Sequence, residues 1–305
     1  MLSRVPRSRR LLPRALWTAA LCAGCAALRA APLQLPPINT PASSEHHVGK
    51  VVWADLVTPD LGAAERFYEG LLGWKFQHLP TGESQYAVAQ LGGRPVAGLF
   101  RKPAPSGEHR QSAWITFIAV RDVDAARRIA VAHGAKVLSE SRDYATRGRQ
   151  AIFSDPEGAV FAVLGSRTGD APDFLAEPGE WIWSSLLARE PGAEAAFYQD
   201  VFSYDAFDLK SDDGLEHIIL SSDDYARASV NSLPGSGNRR PHWLNFIRVE
   251  NTADTVVRVV ELGGKVLVQP HVDRHGGQVA VVADPEGAPF GLMEWTETDT
   301  KSEPK

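Results

Sequence analysis

Residues 51–73 read VVWADLVTPDLGAAERFYEGLLG, and this stretch decides the fold. A short β-type run comes first, and Asp60 then favours a helix start because an acid there faces the unpaired amides of the first turn. Apolar residues recur at helical spacing until Gly73, which predicts the helix end. Phe67 and Tyr68 fall on the apolar face of this helix, so we expect both in the core.

The same pattern occurs twice in the chain. Trp53 returns 130 residues later as Trp183, and the pair Phe67-Tyr68 returns at the same offset. An Asp-Pro-Glu-Gly turn at 155–158 returns 129 residues later at 284–287. Chance does not keep one register over such widely separated residues, so the chain contains a duplicated domain.

The predicted domains span residues 49–167 and 179–297, with a linker at 168–178. Each is expected to contain two βαβββ modules, because the order of strand and helix patterns repeats inside each copy. We therefore predict an α+β fold of two tandem domains, each of two βαβββ modules that form a curved mixed sheet with a concave cleft. Helices cover one sheet face, and the other face is left for a ligand or a partner.

The N terminus carries a separate signal. Residues 1–14 contain five arginines and no acid, and an apolar run from Ala15 to Ala27 follows them. This order predicts an export signal at residues 1–25, and the run is too short for a mature membrane span. The segment before Cys25 resembles a lipoprotein box, which predicts acylation of Cys25. Twin-arginine export and simple cleavage near Ala30 stay open as alternatives.

Two flanking segments complete the predicted organisation. Residues 26–48 are Pro-rich and predict an extended tether, and residues 298–305 form a polar tail. The predicted location is the periplasm, or a bacterial membrane to which a lipidated N terminus anchors the protein. A homo-oligomer is also compatible with the sequence.

Cysteine and charge exclude some classes of function. Both cysteines, Cys22 and Cys25, lie in the N-terminal segment, so the body has no thiolate for catalysis or metal binding. The formal net charge is −5. A negative chain without a basic run in its body argues against nucleic acid as the ligand.

The pattern of residues 51–73, together with the two Asp-Pro-Glu-Gly turns, resembles the vicinal oxygen chelate superfamily. Its members include glyoxalase I, bleomycin resistance proteins and extradiol dioxygenases. The resemblance covers nearly the whole mature chain and is closest to the tandem two-domain branch. It implies that an enzyme of this type would hold a divalent metal with His, Gln or Glu side chains on the cleft strands.

The metal-ligand places that the resemblance implies carry other residue types here. The ligand place on the first strand is Trp53 in the first domain and Trp183 in the second. The remaining places fall on Ile115, Leu244, Ala162, Gly291 and the segments 97–99 and 228–230. Such side chains do not coordinate a hard or borderline cation, so we predict no metal site of the family type and no cofactor.

Trp53 and Asp55 alternate on one strand and should face the same side of the sheet. In a concave pocket, Asp55 is a weak candidate for a general base beside an indole. Alternatively, Trp53 fills the vacant metal cavity and Asp55 bonds to the backbone. The equivalent pair in the second domain is Trp183 and Ser185, so we predict these four residues as ligand-binding.

Three functions follow from these observations. The first is a protein that binds a small molecule in its clefts without the family's metal. The second is a metal-dependent lyase, isomerase or dioxygenase of the glyoxalase type. The third is an interaction protein of the cell envelope. Metal analysis separates the second hypothesis from the first.

Overall fold

The computed structural model describes residues 33–79, 85–103, 111–209, 215–234, 239–273 and 276–295. The predicted export signal, Cys25 and the predicted polar tail lie outside the described residues. In the described ranges, no helix is long and apolar enough to cross a membrane.

The described residues form sixteen strands and four helices. Those of the first domain are β1 (Val51–Thr58), α1 (Leu61–Leu72), β2 (Lys75–His78), β3 (Tyr86–Leu91), β4 (Arg94–Arg101), β5 (Ala113–Ala119), α2 (Val123–Ala132), β6 (Lys136–Tyr144), β7 (Gly148–Ser154) and β8 (Val160–Ser166). Those of the second domain are β9 (Trp181–Ala188), α3 (Pro191–Phe202), β10 (Asp205–Asp208), β11 (His217–Ser222), β12 (Tyr225–Ser232), β13 (His242–Arg248), α4 (Thr252–Glu261), β14 (Lys265–Val272), β15 (Gln278–Ala283) and β16 (Pro289–Met293).

Each domain forms one eight-stranded mixed sheet. The strand order in the first domain is β2-β3-β4-β1-β5-β8-β7-β6, and the second domain has the equivalent order. The first strands of the two modules pair antiparallel at the centre of each sheet, whereas β1 pairs with β4 in parallel. This topology confirms the predicted α+β fold of two tandem domains with two βαβββ modules each.

The two ends of α1 lie where the sequence predicts them, because local interactions determine both. The Asp60 side chain caps α1 by accepting a hydrogen bond from the Ala63 amide at 2.9 Å. Gly73 ends the helix with a φ of 74°, a left-handed conformation that glycine adopts without a steric penalty. Phe67 and Tyr68 are buried as predicted.

The two domains pack through the helix-covered faces of their sheets. Helix α1 contacts α4, and α2 contacts α3. Two hydrophobic cores at this interface therefore mix residues of both domains; one joins Phe67 with Phe290, and the other joins Phe161 with Phe197. This arrangement leaves the concave faces of both sheets pointing away from the domain interface.

The repeated motifs meet across this interface. The Trp243 Nε1–H donates to the Tyr198 hydroxyl oxygen at 2.8 Å, and the Tyr198 O–H donates to Asp155 Oδ2 at 3.1 Å. In the symmetric relay, Trp114 donates to Tyr68, and Tyr68 donates to Asp284 at 3.3 Å. Each Asp-Pro-Glu-Gly turn of one domain thus accepts a hydrogen bond from the Phe-Tyr pair of the other.

The glutamate of the first turn also has a structural role. The Glu157 carboxylate accepts hydrogen bonds from the backbone amides of Arg189 and Glu190 at 2.7 and 2.8 Å. These amides lie just before α3, where free N–H groups attract an acid. Glu157 therefore joins the domains rather than forming part of a chemical site.

Candidate functional site

Trp53 and Asp55 lie on the same face of the first sheet, as predicted, and this is the face that the helices do not cover. The Trp53 Nε1–H donates to Asp55 Oδ1 at 2.7 Å, and the Tyr86 O–H donates to the same oxygen at 2.7 Å. All three residues are buried. The observed partners of the Asp55 side chain are therefore side chains, not the backbone groups that one alternative expected.

Tyr86 remains a hydrogen-bond donor over the ordinary pH range. Burial raises the pKa of its phenol well above the usual value, and the negative charge of Asp55 adds to that increase. Because the phenol keeps its proton, Asp55 Oδ1 has two fixed donors. Catalysis by Asp55 stays a prediction. Its Oδ1 atom already accepts two hydrogen bonds.

Arg147, like Tyr86, belongs to this cleft although the sequence did not indicate it. Its side chain is fully buried, its Nη1 lies 4.0 Å from Asp55 Oδ1, and its guanidinium carbon lies 4.7 Å from the centre of the Trp53 ring. Within the part of the chain that the structure describes, neither Nη1 nor Nη2 has a hydrogen-bond partner. The first cleft therefore holds a buried cation with unused donors.

The predicted tether covers this cleft. Leu35 and Ile38 are buried, and they pack against Trp53, Tyr86 and other apolar residues of the concave face. The prediction that residues 26–48 form an extended tether did not anticipate that Leu35 and Ile38 pack against the first sheet. Residues 33–48 contain no helix or strand, but apolar burial fixes part of them to the first sheet.

The residues of the first cleft do not fit the metal that the family implies. Gly98 and Ala162 lie at two of the places where the family would have a metal ligand. A side chain on Gly98 would overlap Tyr86 Oη and Asp55 Oδ1. Ala162 pairs with Phe117 on the neighbouring strand. Asp55 provides a carboxylate, but the guanidinium of Arg147 beside it would repel a cation. The donor set and the local charge both disfavour a divalent ion here.

The second cleft contains a chain of hydrogen-bonded polar groups. Trp183 Nε1–H donates to Ser229 Oγ at 3.2 Å, and the hydroxyls of Ser185 and Ser229 lie 2.8 Å apart. The Asn231 amide donates to Ser229 at 3.1 Å, and Asn231 Oδ1 lies 3.1 Å from His217 Nδ1. The structure thus brings Trp183 and Ser185 together, as predicted, and adds three partners.

Apolar rings border these polar groups. Phe246 pairs with Trp183 across the strands and shares its face of the sheet. Phe207, which is 56% exposed, lies opposite Ile219 on the same face. Trp183, His217, Asn231 and Phe246 are half-buried. The second cleft is therefore accessible, whereas Leu35 and Ile38 fill the first.

The second cleft also fails the test for a family-type metal site. Any side chain at Gly291 would overlap the Phe246 ring, which occupies the place of the last-strand carboxylate. Trp183 and Leu244 occupy two other ligand places, and Ser229 pairs with Ser185 where the fourth ligand would be. Among the described residues, no three His, Cys, Asp or Glu side chains are grouped so that they could hold a metal ion.

A separate pocket lies beside the linker. It has a volume of about 180 Å³ and is lined by residues that include Trp53, Phe174 and Trp181. Two charged groups at its wall are already paired, because Lys50 contacts Asp173 at 2.8 Å and Glu180 contacts Arg94. Its volume is below the roughly 300 Å³ that ligand sites usually reach.

Comparisons with known proteins agree with this fold. Residues 46–163 match the family described as Glyoxalase/Bleomycin resistance protein/Dioxygenase superfamily, and residues 184–293 match a Glyoxalase-like domain. A Mycobacterium tuberculosis protein named "Putative glyoxylase CFP32" is 30% identical over 83% of this chain and 98% of its own length. The anthracycline biosynthesis protein DnrV of Streptomyces peucetius is 30% identical over 82% of this chain and 94% of its own length.

Solved structures with little sequence identity share the architecture. The Mn(II)-bound glyoxalase from Novosphingobium aromaticivorans has a TM-score of 0.57 at 20% identity and covers 82% of this chain and 83% of its own. A variant of homoprotocatechuate 2,3-dioxygenase from B. fuscum has a TM-score of 0.58 at 14% identity and covers 88% of this chain and 77% of its own. At such identities the likeness concerns the fold alone. The family models and the relatives at 30% identity show that the chain belongs to the glyoxalase/bleomycin resistance protein/dioxygenase superfamily, with the vicinal oxygen chelate fold.

Proposed function

We propose that this protein binds a planar, neutral organic molecule in the second cleft without a chelated metal. The observation that carries the proposal is the row of hydrogen-bonded polar groups from Trp183 to His217, bordered by the Phe207 and Phe246 rings. Aromatic walls bind flat apolar rings, and a few hydroxyl and amide groups fix their orientation. Arg227, two residues before Ser229 on β12, is buried on the same face, and its charge is paired with Asp173 at 2.7 Å.

The ligand class follows from this chemistry. Serine, asparagine and imidazole groups both donate and accept hydrogen bonds, so they suit a ligand with hydroxyl or carbonyl substituents. The relative DnrV carries anthracycline biosynthesis in its name, which is consistent with a fused-ring aromatic ligand of that kind. We therefore propose a hydroxylated polycyclic aromatic molecule.

A fluorescence titration tests this proposal. Anthraflavic acid is a suitable probe because its hydroxyls lie too far from its carbonyls to chelate a metal by themselves. We expect saturable quenching of tryptophan fluorescence, and Ser185→Val should weaken binding about tenfold, the loss of one or two hydrogen bonds in a buried site. Anthraflavic acid that fails to quench, or that binds Ser185→Val as tightly as the parent protein, would refute the proposal.

The adjacent serine provides the matched control. Ser184 lies on the same strand but faces the domain interface, where its hydroxyl donates to Asn245 at 2.8 Å. Ser184→Ala should lower stability and leave the affinity for the probe unchanged. This contrast separates a loss of binding from a general loss of folding.

We also propose that the protein is exported and that Cys25 carries a lipid. The arginine-rich start and the apolar run support this proposal. Seven residues separate Cys25 from Leu33, so a lipid would hold Leu33 within roughly 30 Å of the membrane surface. Membrane fractionation of the native chain and of Cys25→Ala tests the proposal, since unprocessed protein in the cytoplasm would contradict it.

A further inference from the structure

Residues 33–38 fill the first cleft in the manner of a bound peptide. The side chains of Leu35 and Ile38 are 2% and 8% exposed. They pack in a cluster with Trp53, Tyr86 and Phe117 of the concave face. These contacts place two apolar side chains, three residues apart, in a cleft that belongs to a different part of the fold.

The cleft also recognises the backbone of this segment. The Thr146 hydroxyl donates to the Leu35 carbonyl oxygen at 2.5 Å, and Arg147 Nε–H donates to the Pro36 carbonyl oxygen at 3.0 Å. Donors aimed at consecutive main-chain carbonyls are a common means of holding an extended peptide. Pro36 and Pro37 restrict the backbone, so this segment loses little conformational entropy when it binds.

Arg147 provides more donors than the segment uses. Its side chain is fully buried, yet Nη1 and Nη2 have no hydrogen-bond partner among the described residues. Buried polar groups in proteins are normally bonded. The guanidinium is enclosed by Asp55, whose Oδ1 lies 4.0 Å from Nη1, and by the Trp53 and Tyr86 rings.

We propose that the first cleft is a binding site for an extended, apolar, proline-containing peptide, which residues 33–38 occupy as an intramolecular ligand. This site is independent of the ligand site proposed for the second cleft. Covalent linkage gives the segment an effective concentration in the millimolar range, so a free peptide competes poorly in the intact chain. The first cleft is thereby closed to other ligands while the segment is in place.

The test opens the cleft in the full chain and supplies the peptide separately. In the double variant Leu35→Asp, Ile38→Asp, two buried charges disfavour the bound segment. Fluorescence anisotropy with a labelled LQLPPINT peptide should show saturable binding at least tenfold tighter than to the unmodified chain. Adding Arg147→Met should reduce this binding at least tenfold, whereas Ser185→Val in the second cleft should not change it.

Three results would overturn the proposal. They are a folded double variant that binds LQLPPINT no better than the unmodified chain, equal binding of a scrambled peptide, and unchanged binding after Arg147→Met. If the double variant does not fold, a protease site at residues 40–44 gives a second measurement. Cleaved protein should then exchange its N-terminal fragment for labelled LQLPPINT, and a lack of exchange at any peptide excess would also refute the proposal.

Discussion

Tyr198 of the second domain donates its hydroxyl hydrogen to Asp155 of the first at 3.1 Å, and this bond links the two most recognisable motifs of the chain. The Phe-Tyr pair and the Asp-Pro-Glu-Gly turn repeat because each domain contributes one half of two symmetric contacts. The motifs therefore hold the tandem domains together. They indicate the fold and the domain pairing, and they carry no catalytic information.

Removal of the Tyr198 hydroxyl should destabilise the protein. In Tyr198→Phe, Asp155 loses a donor and Trp243 loses its acceptor, so we expect the free energy of unfolding to fall by about 1–3 kcal/mol. Urea denaturation followed by circular dichroism measures this change. Tyr225→Phe is the control because Tyr225 is exposed, and a similar result for both variants would show that the relay contributes nothing.

Stability should depend on pH through Glu194, which lies buried beside Asp155. Burial, and then the nearby charge of Asp155, raises the pKa of Glu194 from 4.5 to about 8. Between these values the folded state holds a proton that the unfolded state has released. The free energy of unfolding should therefore decrease as the pH rises from about 4.5 to 8.

Glu194→Gln should flatten this dependence, because the amide resembles the protonated acid and does not titrate. At pH 8 we expect the variant to be more stable than the parent by about 1 kcal/mol, a value reduced for partial solvation. Thermal unfolding at several pH values gives the measurement. Glu250→Gln, at an exposed acid, should leave the curve unchanged, and an equal slope for Glu194→Gln and the parent would disprove the assignment.

Gly98 should tolerate no side chain. In Gly98→Ala the new methyl group would overlap Tyr86 Oη and Asp55 Oδ1, so we expect a loss of about 1–3 kcal/mol from overpacking. Ser229 occupies the equivalent place in the second sheet and already has a Cβ atom. Gly192→Ala is the control for chemical denaturation, because a Cβ atom at Gly192 meets nothing within 4 Å and should not lower the stability. Equal stability of Gly98→Ala and the parent would contradict the packing described for the first cleft.

Substitution of two exposed phenylalanines tests whether the ligand binds in the second cleft or in the pocket beside the linker. Phe207 lies at the cleft and is 56% exposed, whereas Phe174 lines the pocket and is 60% exposed. Phe207→Ser should weaken anthraflavic acid binding about threefold to tenfold, the usual contribution of an aromatic contact. Phe174→Ser should have no effect in the same titration, and the reverse pattern would move the ligand to the pocket.

The sequence predicted what local signals and the repeat determine. Asp60 and Gly73 mark the ends of α1 by themselves, and the period of about 130 residues identifies the duplicated sheets. Trp53 and Asp55 were predicted to share a face because strand alternation is a local property.

The partners of the cleft residues required the tertiary structure. Arg147 stands in a polar stretch that is typical of an exposed turn, yet its backbone partner Pro36 lies 111 residues away in the chain. Leu35 and Ile38 lie in a proline-rich segment, whose composition favours a spacer. Phe207 lies on the short edge strand β10 and His217 on its neighbour β11, so their contribution to the second cleft becomes visible through the register of these strands.

The metal dependence of ligand binding tests the central claim most directly. Anthraflavic acid should be titrated into the protein after treatment with EDTA, and again after Mn(II) or Zn(II) is added back. We predict the same dissociation constant in all samples, since Trp183, Ser185 and Phe246 provide the contacts. Binding that EDTA abolishes and a stoichiometric divalent ion restores would contradict the account.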